Sequence, residues 1–581
     1  AAGVTKAWTR ALELTHRLTA DAGRPLAAVL DDLAGRHGDA PALLSADCAY
    51  SFADLAARTR RYTRWARVQG YGAGDVVALL APNHPDYFAA WVGISRTGAT
   101  VALLNTNLED RALAHCLHVA DARALLVAPS LQDAYASAAA HLERAPGLWP
   151  LHAGGLDLTA YADGPLSPEE ATGAALADRA LLIFTSGTTG LPKAANVSHA
   201  RVLTWCGWFA GMMDAAPDDR LYNCLPMYHS VGGVVAVGGV LLQGGSVFVR
   251  ERFSARAFWD EVVAYDCTLF QYIGELCRFL LNSAPHPLER AHALRLACGN
   301  GLREEVWTAF QARFSVPRVL EFYAATEGSF SLYNVEGRPG AIGRVPPFLA
   351  HRFPAAIVRY DPETGAPVRD EDGHCVRCAP NEPGEAIGRI ATAEQGGANR
   401  FEGYTSGAES DRKVLRDVFA PGDAWFRTGD LMRRDAAGFF YFVDRVGDTF
   451  RWKGENVSTA EVADVLAACP GVTAAAVYGV ELPGCDGRAG MAALTTGGGV
   501  DLAELARRIA AGLPSYARPV LLRLCDDLAA TETFKLKKAA MAEEGFDPGR
   551  VGDPLFRLED GVYVPLDLAA HAGLVNGTLR V

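Results

Sequence analysis

Lysine is the charged residue this 581-residue chain uses least. It stands only at Lys6, Lys193, Lys413, Lys453, Lys535, Lys537 and Lys538; every other fixed cation is arginine. A compact, flexible ammonium kept at so few positions marks Lys193, Lys453 and Lys535 as candidates for chemistry. No basic block occurs and the formal net charge is −12, so nucleic acid is not an expected partner. The 12 cysteines have no repeating spacing, and Cys375 and Cys378, preceded by His374, lack the second Cys/His pair that would complete a zinc site. No signal-peptide pattern opens the chain, so reduced thiols and a cytoplasmic location are expected. No charged side chain lies between Arg220 and Arg250, yet a membrane span is not expected there. Pro226, His229, Gln243 and Gly-Gly pairs interrupt the run. The apolar core is only about a dozen residues, against the roughly 20 a span needs. There is no internal repeat.

What is present is a layered α/β pattern. Residues 4–18 form an amphipathic helix, with Val4, Ala7, Trp8, Ala11, Leu12 and Leu18 on one face and Lys6, Arg10, Glu13 and Arg17 on the other. Docking on its own domain is the favoured reading; a membrane-surface helix is the other. From Pro25 to Pro129 buried strands (Asp75–Ala81, Ala99–Leu104, Ala124–Val127) alternate with helices. The uncharged run after Arg220 reads as a loop, a buried helix and the strand Ser246–Val249. Leu294–Gly301 reads as a strand and a glycine turn, Arg303–Phe314 as a helix, and Val319–Tyr323 as another strand. From Gly340 to Tyr404, alternation between turns favours an antiparallel β unit. From about Gly447 a separate small α/β domain follows.

The chemistry gathers on a few strings. Ala180–Phe184 is a buried strand, followed by Thr185, Ser186, Gly187, Thr188, Thr189, Gly190, Leu191, Pro192 and Lys193. Glycines let backbone N–H groups approach an anion closely, hydroxyls add donors and Lys193 adds charge, which together suit the phosphates of a nucleotide. Ser198 is placed to cap a helix beginning at His199. Other strings are Tyr323-Ala-Ala-Thr326-Glu327, Arg427-Thr-Gly-Asp430-Leu431, Asp444 to Val457 (DRVGDTFRWKGENV) and Thr531-Glu-Thr-Phe-Lys535. In this order they resemble the motifs of the adenylate-forming superfamily (acyl-CoA synthetases, adenylation domains and luciferases). Asp444–Val457 looks most like the fatty acid transport protein / very-long-chain acyl-CoA synthetase branch. The resemblance runs from about Pro25 to Pro565. Ala324 stands where the family has glycine, and Glu532 where it has glycine.

The resemblance implies an α/β, multi-subdomain fold. Residues 1–446 would form a large N-terminal AMP- and acyl-binding domain of layered α/β subdomains plus the antiparallel β unit. Residues 447–581 would form a small mobile lid with a catalytic lysine and a C-terminal tail, hinged at Gly447. It implies that Thr185 to Lys193 cradles the triphosphate and that Glu327 binds Mg2+. Thr326 would reach a phosphate, and Tyr323 would lie against adenine opposite Gly299, Asn300 and Gly301. Asp430 would take the ribose diol, for which a carboxylate has two acceptors, and Arg445 would make the next nucleotide contact. His229, with Ser230 and Val231, would line the acyl pocket, and Lys453 and Gly454 a CoA channel. Lys535, with Thr326 and Lys193, would be catalytic. The implied reaction joins a long-chain or very-long-chain fatty acid to CoA through an acyl-adenylate, using ATP and magnesium. The rivals are a fatty-acid-binding or uptake protein without turnover and a ligase that loads a carrier protein. Peripheral contact at the inner face of a membrane is left open for residues 4–18.

Overall fold

The structure is a computed structural model that describes residues 2–151, 155–185, 192–362, 364–391, 400–452, 455–483, 485, 487–528 and 538–579. The chain divides into two compact units, Ala1–Phe353 with Arg389–Leu415, and Pro354–Gly388 with Arg416–Val581.

The first unit is built on two sheets. In the six-stranded sheet, Gly147–Pro150, Ala124–Val127, Val76–Leu80, Thr100–Leu103 and Arg179–Thr185 run parallel in that spatial order. Lys193–Ser198 turns back antiparallel at the edge. The central strands are apolar apart from Thr100 and buried on both faces, as a helix-covered parallel sheet requires. The eight-stranded sheet has six parallel strands flanked by an antiparallel strand at each edge, Ser331–Asn334 on one side and Ala49–Ser51 on the other. The uncharged run resolves into the strand Arg220–Asn223, a π-helix Val231–Val235, the helix Ala236–Leu241 and the strand Ser246–Val249. Among the described residues no helix is long and apolar enough to cross a membrane.

The N-terminal helix, Ala2–Thr19, docks as expected, with Ala7, Trp8 and Ala11 buried against the helix His199–Met213. Gly207 and Gly211 make this approach possible. A Cβ at Gly211 would collide with the Ala11 backbone, and one at Gly207 would press on Thr15 and Leu18. The Trp8 ring meets Trp208 edge-on at 5.6 Å, and Arg10 donates from Nε to the Gly211 carbonyl at 2.7 Å.

The second unit holds most of a five-stranded sheet. It is antiparallel where Ala355–Val358 meets Gly384–Arg389 and where Ala424–Arg434 meets Phe440–Arg445. The β unit expected over 340–404 is therefore shifted, because residues 389–415 go with the first unit. The reason is a backbone ladder: Asn196 N–H donates to the Gly403 carbonyl and Thr405 N–H to the Ala194 carbonyl, each at 2.9 Å. Residues 403–405 thus extend beside Lys193–Ser198. The C-terminal part is the expected α/β layer, a sheet in the order Val472–Glu481, Arg488–Thr496, Leu521–Cys525, Leu555–Glu559, Val562–Pro565. Residues 354–388 and 416–446 belong to the same compact unit as this layer.

Candidate active site

In the first unit the residues expected at the triphosphate converge. Thr185 and Lys193 are Cα partners across the antiparallel pair, so the ends of the candidate phosphate loop are pinned side by side. Ser186, Gly187, Thr188, Thr189 and Gly190 lie outside the described residues. Ser198 caps His199–Met213 by accepting from Arg201 N–H at 3.1 Å. The Lys193 ammonium pairs with Glu409, whose carboxyl is held below its ordinary value chiefly by that contact.

Glu327 follows the strand Val319–Ala324 and is buried. Its Oε1 accepts from the Tyr404 hydroxyl at 2.7 Å and lies 3.8 Å from Lys413 Nζ. Lys193 Nζ sits 6.0 Å from the centre of the Tyr404 ring. Arg201 Nη1 donates to the Thr326 and Gly328 carbonyls at 2.8 and 3.0 Å, and its Nη2 donates to the Arg400 carbonyl. Glu402, 3.6 Å from Arg201 Nε, accepts from Ser198 N–H at 2.7 Å and from the Ser198 hydroxyl at 2.6 Å.

The residues expected at the acyl pocket begin one hydroxyl away, with Ser230 Oγ and Thr326 Oγ1 3.2 Å apart. His229, its ring 4.6 Å from that of Tyr228, accepts from Gly233 N–H through its carbonyl at 2.8 Å. The π-helix beginning at Val231 is seated directly on the preceding loop. A Cβ at Gly232 would strike the Pro226 carbonyl and one at Gly233 the Met227 carbonyl. Single π turns recur at functional sites. Asn83 fixes the same loop: its Oδ1 accepts from Met227 N–H at 2.7 Å and its Nδ2 donates to the Leu225 carbonyl at 2.8 Å.

The turn expected to face adenine is equally tight. Gly299 packs on Tyr272 so closely that a side chain would clash, and Gly301 has φ +76°. The turn is held by Glu321, a fully buried carboxylate that accepts from Leu302 N–H at 3.0 Å and from the Tyr272 hydroxyl. Burial pushes its carboxyl up to about 8. Tyr323 is half-buried, its ring edge-on to Phe330 at 5.6 Å. Asn300 ends its strand half-buried.

A cavity of about 700 Å³ opens elsewhere in this unit, at the ends of the strands Pro41–Leu44, Val76–Leu80, Ala124–Val127 and Ser246–Val249. None of the expected site residues lines it.

In the second unit, Asp430 and Arg445 are Cα partners on adjacent strands, with Arg445 Nε 3.7 Å from Asp430 Oδ1. Gly429 and Gly447 carry φ +74° and +91°, and at Gly447 open space surrounds the Cβ position, so backbone conformation is what favours glycine there. Buried Asp444 accepts from Thr449, from Thr459 N–H and from the Thr459 hydroxyl, strapping the 444–449 turn to the helix Thr459–Ala467. Ser458 caps that helix by accepting from Glu461 N–H at 3.3 Å. Lys453, Gly454 and Lys535 lie outside the described residues. Exposed Asp370 and Asp372 and half-buried His374 have ligand atoms within 4.8 Å of one another. Asp370 Oδ1 is already engaged by the backbone N–H groups of Asp372 and His374.

The sequence reading missed Tyr404, Arg201, Asn83 and Glu321. Two carried a signal: Glu321 is an acid inside a buried strand, and Arg201 is a cation in a helix's first turn, against the helix dipole.

Comparison with known proteins accounts for this arrangement. The AMP-binding enzyme model matches residues 30–398, and the AMP-binding enzyme C-terminal domain model matches residues 461–535. The chain therefore belongs to the AMP-binding enzyme family, whose members use ATP. Within that family it is 43% identical to long-chain fatty acid transport protein 3 of Homo sapiens over 523 residues, 87% of this chain and 76% of that one. It is 40% identical to medium/long-chain-fatty-acid–CoA ligase FadD6 of Mycobacterium tuberculosis over 542 residues, 92% of this chain and 89% of that one. ATP-bound MatB from Rhodopseudomonas palustris has the same fold, with TM-score 0.73 and 24% identity over 89% of this chain and 98% of that one. So does the anthranilate CoA ligase AuaEII in complex with anthranoyl-AMP, with TM-score 0.76 and 19% identity over 90% and 97%.

Proposed function

We propose that this chain is an ATP-dependent long-chain or very-long-chain fatty acid–CoA ligase. The observation that carries the reading is the approach of Lys193 and Glu327 to one phenol, with Thr326 touching Ser230 on the proposed acyl side. The names of the relatives supply the substrate class, a fatty acid, and for FadD6 the CoA acceptor.

In the first step a carboxylate oxygen of the acid attacks the α-phosphorus of ATP, the bond to the β-phosphate breaks and pyrophosphate leaves. Lys193 and the Thr185–Gly190 loop neutralise the triphosphate, and Lys535 meets charge developing at the α-phosphate. Tyr323 and Gly299–Gly301 hold the adenine, and Asp430 and Arg445 the ribose end. Glu327 is the residue that would hold Mg2+, a hard cation suited to a carboxylate oxygen. The fit is supported by its second oxygen, Oε2, which has no hydrogen-bond donor among the described residues. When bound, Mg2+ supplies charge neutralisation along the triphosphate. In the second step the CoA thiol attacks the acyl carbonyl of the adenylate and AMP leaves; Lys453 and Gly454 line the thiol's approach. His229, Ser230 and Val231 shape the carboxylate end of the acyl pocket without transferring a proton.

Residues from 447 onward act as a lid that changes orientation between the steps, turning about Gly447. Free cysteines among the described residues support a reducing, cytoplasmic setting. Contact with the inner face of a membrane would have to involve the exposed side of the docked helix Ala2–Thr19.

The test is AMP release across a panel of fatty acids, with and without CoA. CoA-dependent turnover peaking at long chains is expected. Fatty-acid binding that ignores ATP and survives Lys535→Ala would instead make the chain an uptake protein, and CoA-independent build-up of acyl-adenylate would point to carrier loading. Gly447→Pro, which fixes φ near −65°, is expected to slow thioester formation more than pyrophosphate release.

A further inference from the structure

We infer that Tyr404 is a positioning residue: its hydroxyl occupies Oε1 of Glu327 and so presents Oε2 to the cation that accompanies the nucleotide, while Arg201 fixes the backbone on both sides of that carboxylate. The inference rests on the reading of Glu327 as the cation ligand.

The geometry is specific. A carboxylate on a free turn has two equivalent oxygens and a rotating side chain. Here one oxygen accepts a 2.7 Å hydrogen bond from a buried phenol, which removes both the choice and the rotation. That phenol is itself held from two sides. Its backbone N–H donates to the Ser410 hydroxyl at 2.9 Å, and its neighbours Gly403 and Thr405 pair with the strand that follows the phosphate loop. Thr185 and Lys193 are Cα partners at the end of that same strand, so the ends of the candidate phosphate loop and the carboxylate are tied to one segment.

Arg201 completes the brace. Its guanidinium is buried and spends its donors on the carbonyls of Thr326, Gly328 and Arg400, the first two flanking Glu327. The residue after a hydrogen-bonded carbonyl has little room to swing, and Glu327 lies between two. Neither side chain needs to touch substrate for this role. Groups that orient a ligand are worth roughly 10–100-fold in metal affinity.

The test reads cation binding directly. The full-length protein with ATP and no fatty acid is titrated with Mn2+, and bound Mn2+ is followed by electron paramagnetic resonance. Tyr404→Phe is expected to weaken Mn2+ binding roughly tenfold, with a melting temperature close to that of the unaltered protein. Glu327→Gln is expected to weaken it at least as much. The double variant is expected to be no worse than Glu327→Gln alone, because one residue acts only through the other. Normal Mn2+ binding in Tyr404→Phe beside a loss in Glu327→Gln overturns the positioning role and leaves the ligand assignment standing. Additive losses in the double variant overturn it too. Normal binding in Glu327→Gln overturns the ligand assignment and the inference with it. Arg201→Lys, which keeps the charge but cannot span three carbonyls, is expected to repeat the Tyr404→Phe loss in weaker form.

Discussion

The two units hold the charges proposed to meet the nucleotide in different ways. In the first, Glu327 is buried, and the turn carrying it is tied through Tyr404 and Arg201 to the strand and helix that follow the phosphate loop. In the second, Asp430 is buried as well, but the guanidinium of Arg445 lies 3.7 Å from it and the Arg445 side chain is 39% exposed. The strand pairing slips register between Leu431 and Met432, beside that pair. The difference follows the chemistry proposed for each. Charge that develops at a reacting phosphate is best met by groups that need no rearrangement. A ribose gains no charge during the reaction, so an adjustable pair suffices to hold it.

The most damaging way to break this contrast is Arg201→Ala. It leaves the Thr326, Gly328 and Arg400 carbonyls without their donor and Glu402 without its cation, a loss of the kind that costs about 3–5 kcal/mol. Thermal unfolding should fall by several degrees, and pyrophosphate release should fall with it. The next effect is one of pH. The carboxyl of Glu321, pushed up to about 8 by burial, binds its proton more tightly folded than unfolded. Its contribution to stability is therefore full below about pH 4.3, the ordinary glutamate value, and is lost as pH rises through about 8. Melting temperatures from pH 5.5 to 8.5 should show the unaltered protein losing ground to Glu321→Gln as pH rises and levelling above about 8; parallel curves would refute this. The smallest effect should come from Arg445→Ala. Asp430 is buried, but its partner is 39% exposed and 3.7 Å away, a loose and solvent-screened pair worth about 1 kcal/mol, so stability should change little while the KM for ATP rises. A large loss of stability there would erase the contrast between the units.

Much of this was legible in the residue order. Unbroken apolar strands such as Val76–Leu80 announce a parallel sheet, and the interrupted run after Arg220 excludes a span. The helix start at Ser198 and the turn at Gly299–Gly301 follow from local rules. Glu327, Asp430 and Lys193 were candidates from the sequence because each stands in a motif that carries the family resemblance. Tyr404 was not, since it stands 77 residues from the carboxylate it meets. Its surroundings, Gly403 and Thr405-Ser406-Gly407, read as a turn. Only the backbone pairing of 403–405 beside Ala194–Asn196 brings it to the phosphate loop, and no local period encodes that pairing. Arg201 and Glu321 were visible as charges in the wrong place, but their partners were not.

The two small residues on His199–Met213 that admit the first helix have a practical bearing. That helix carries Arg201 at its start and Gly207 and Gly211 at its middle, so the amino-terminal segment leans on the same rod that steadies the Glu327 turn. Trimming residues 2–19 would uncover Trp208 and a glycine-lined furrow, and the damage would be felt at the catalytic end of the rod as well as at the trimmed end.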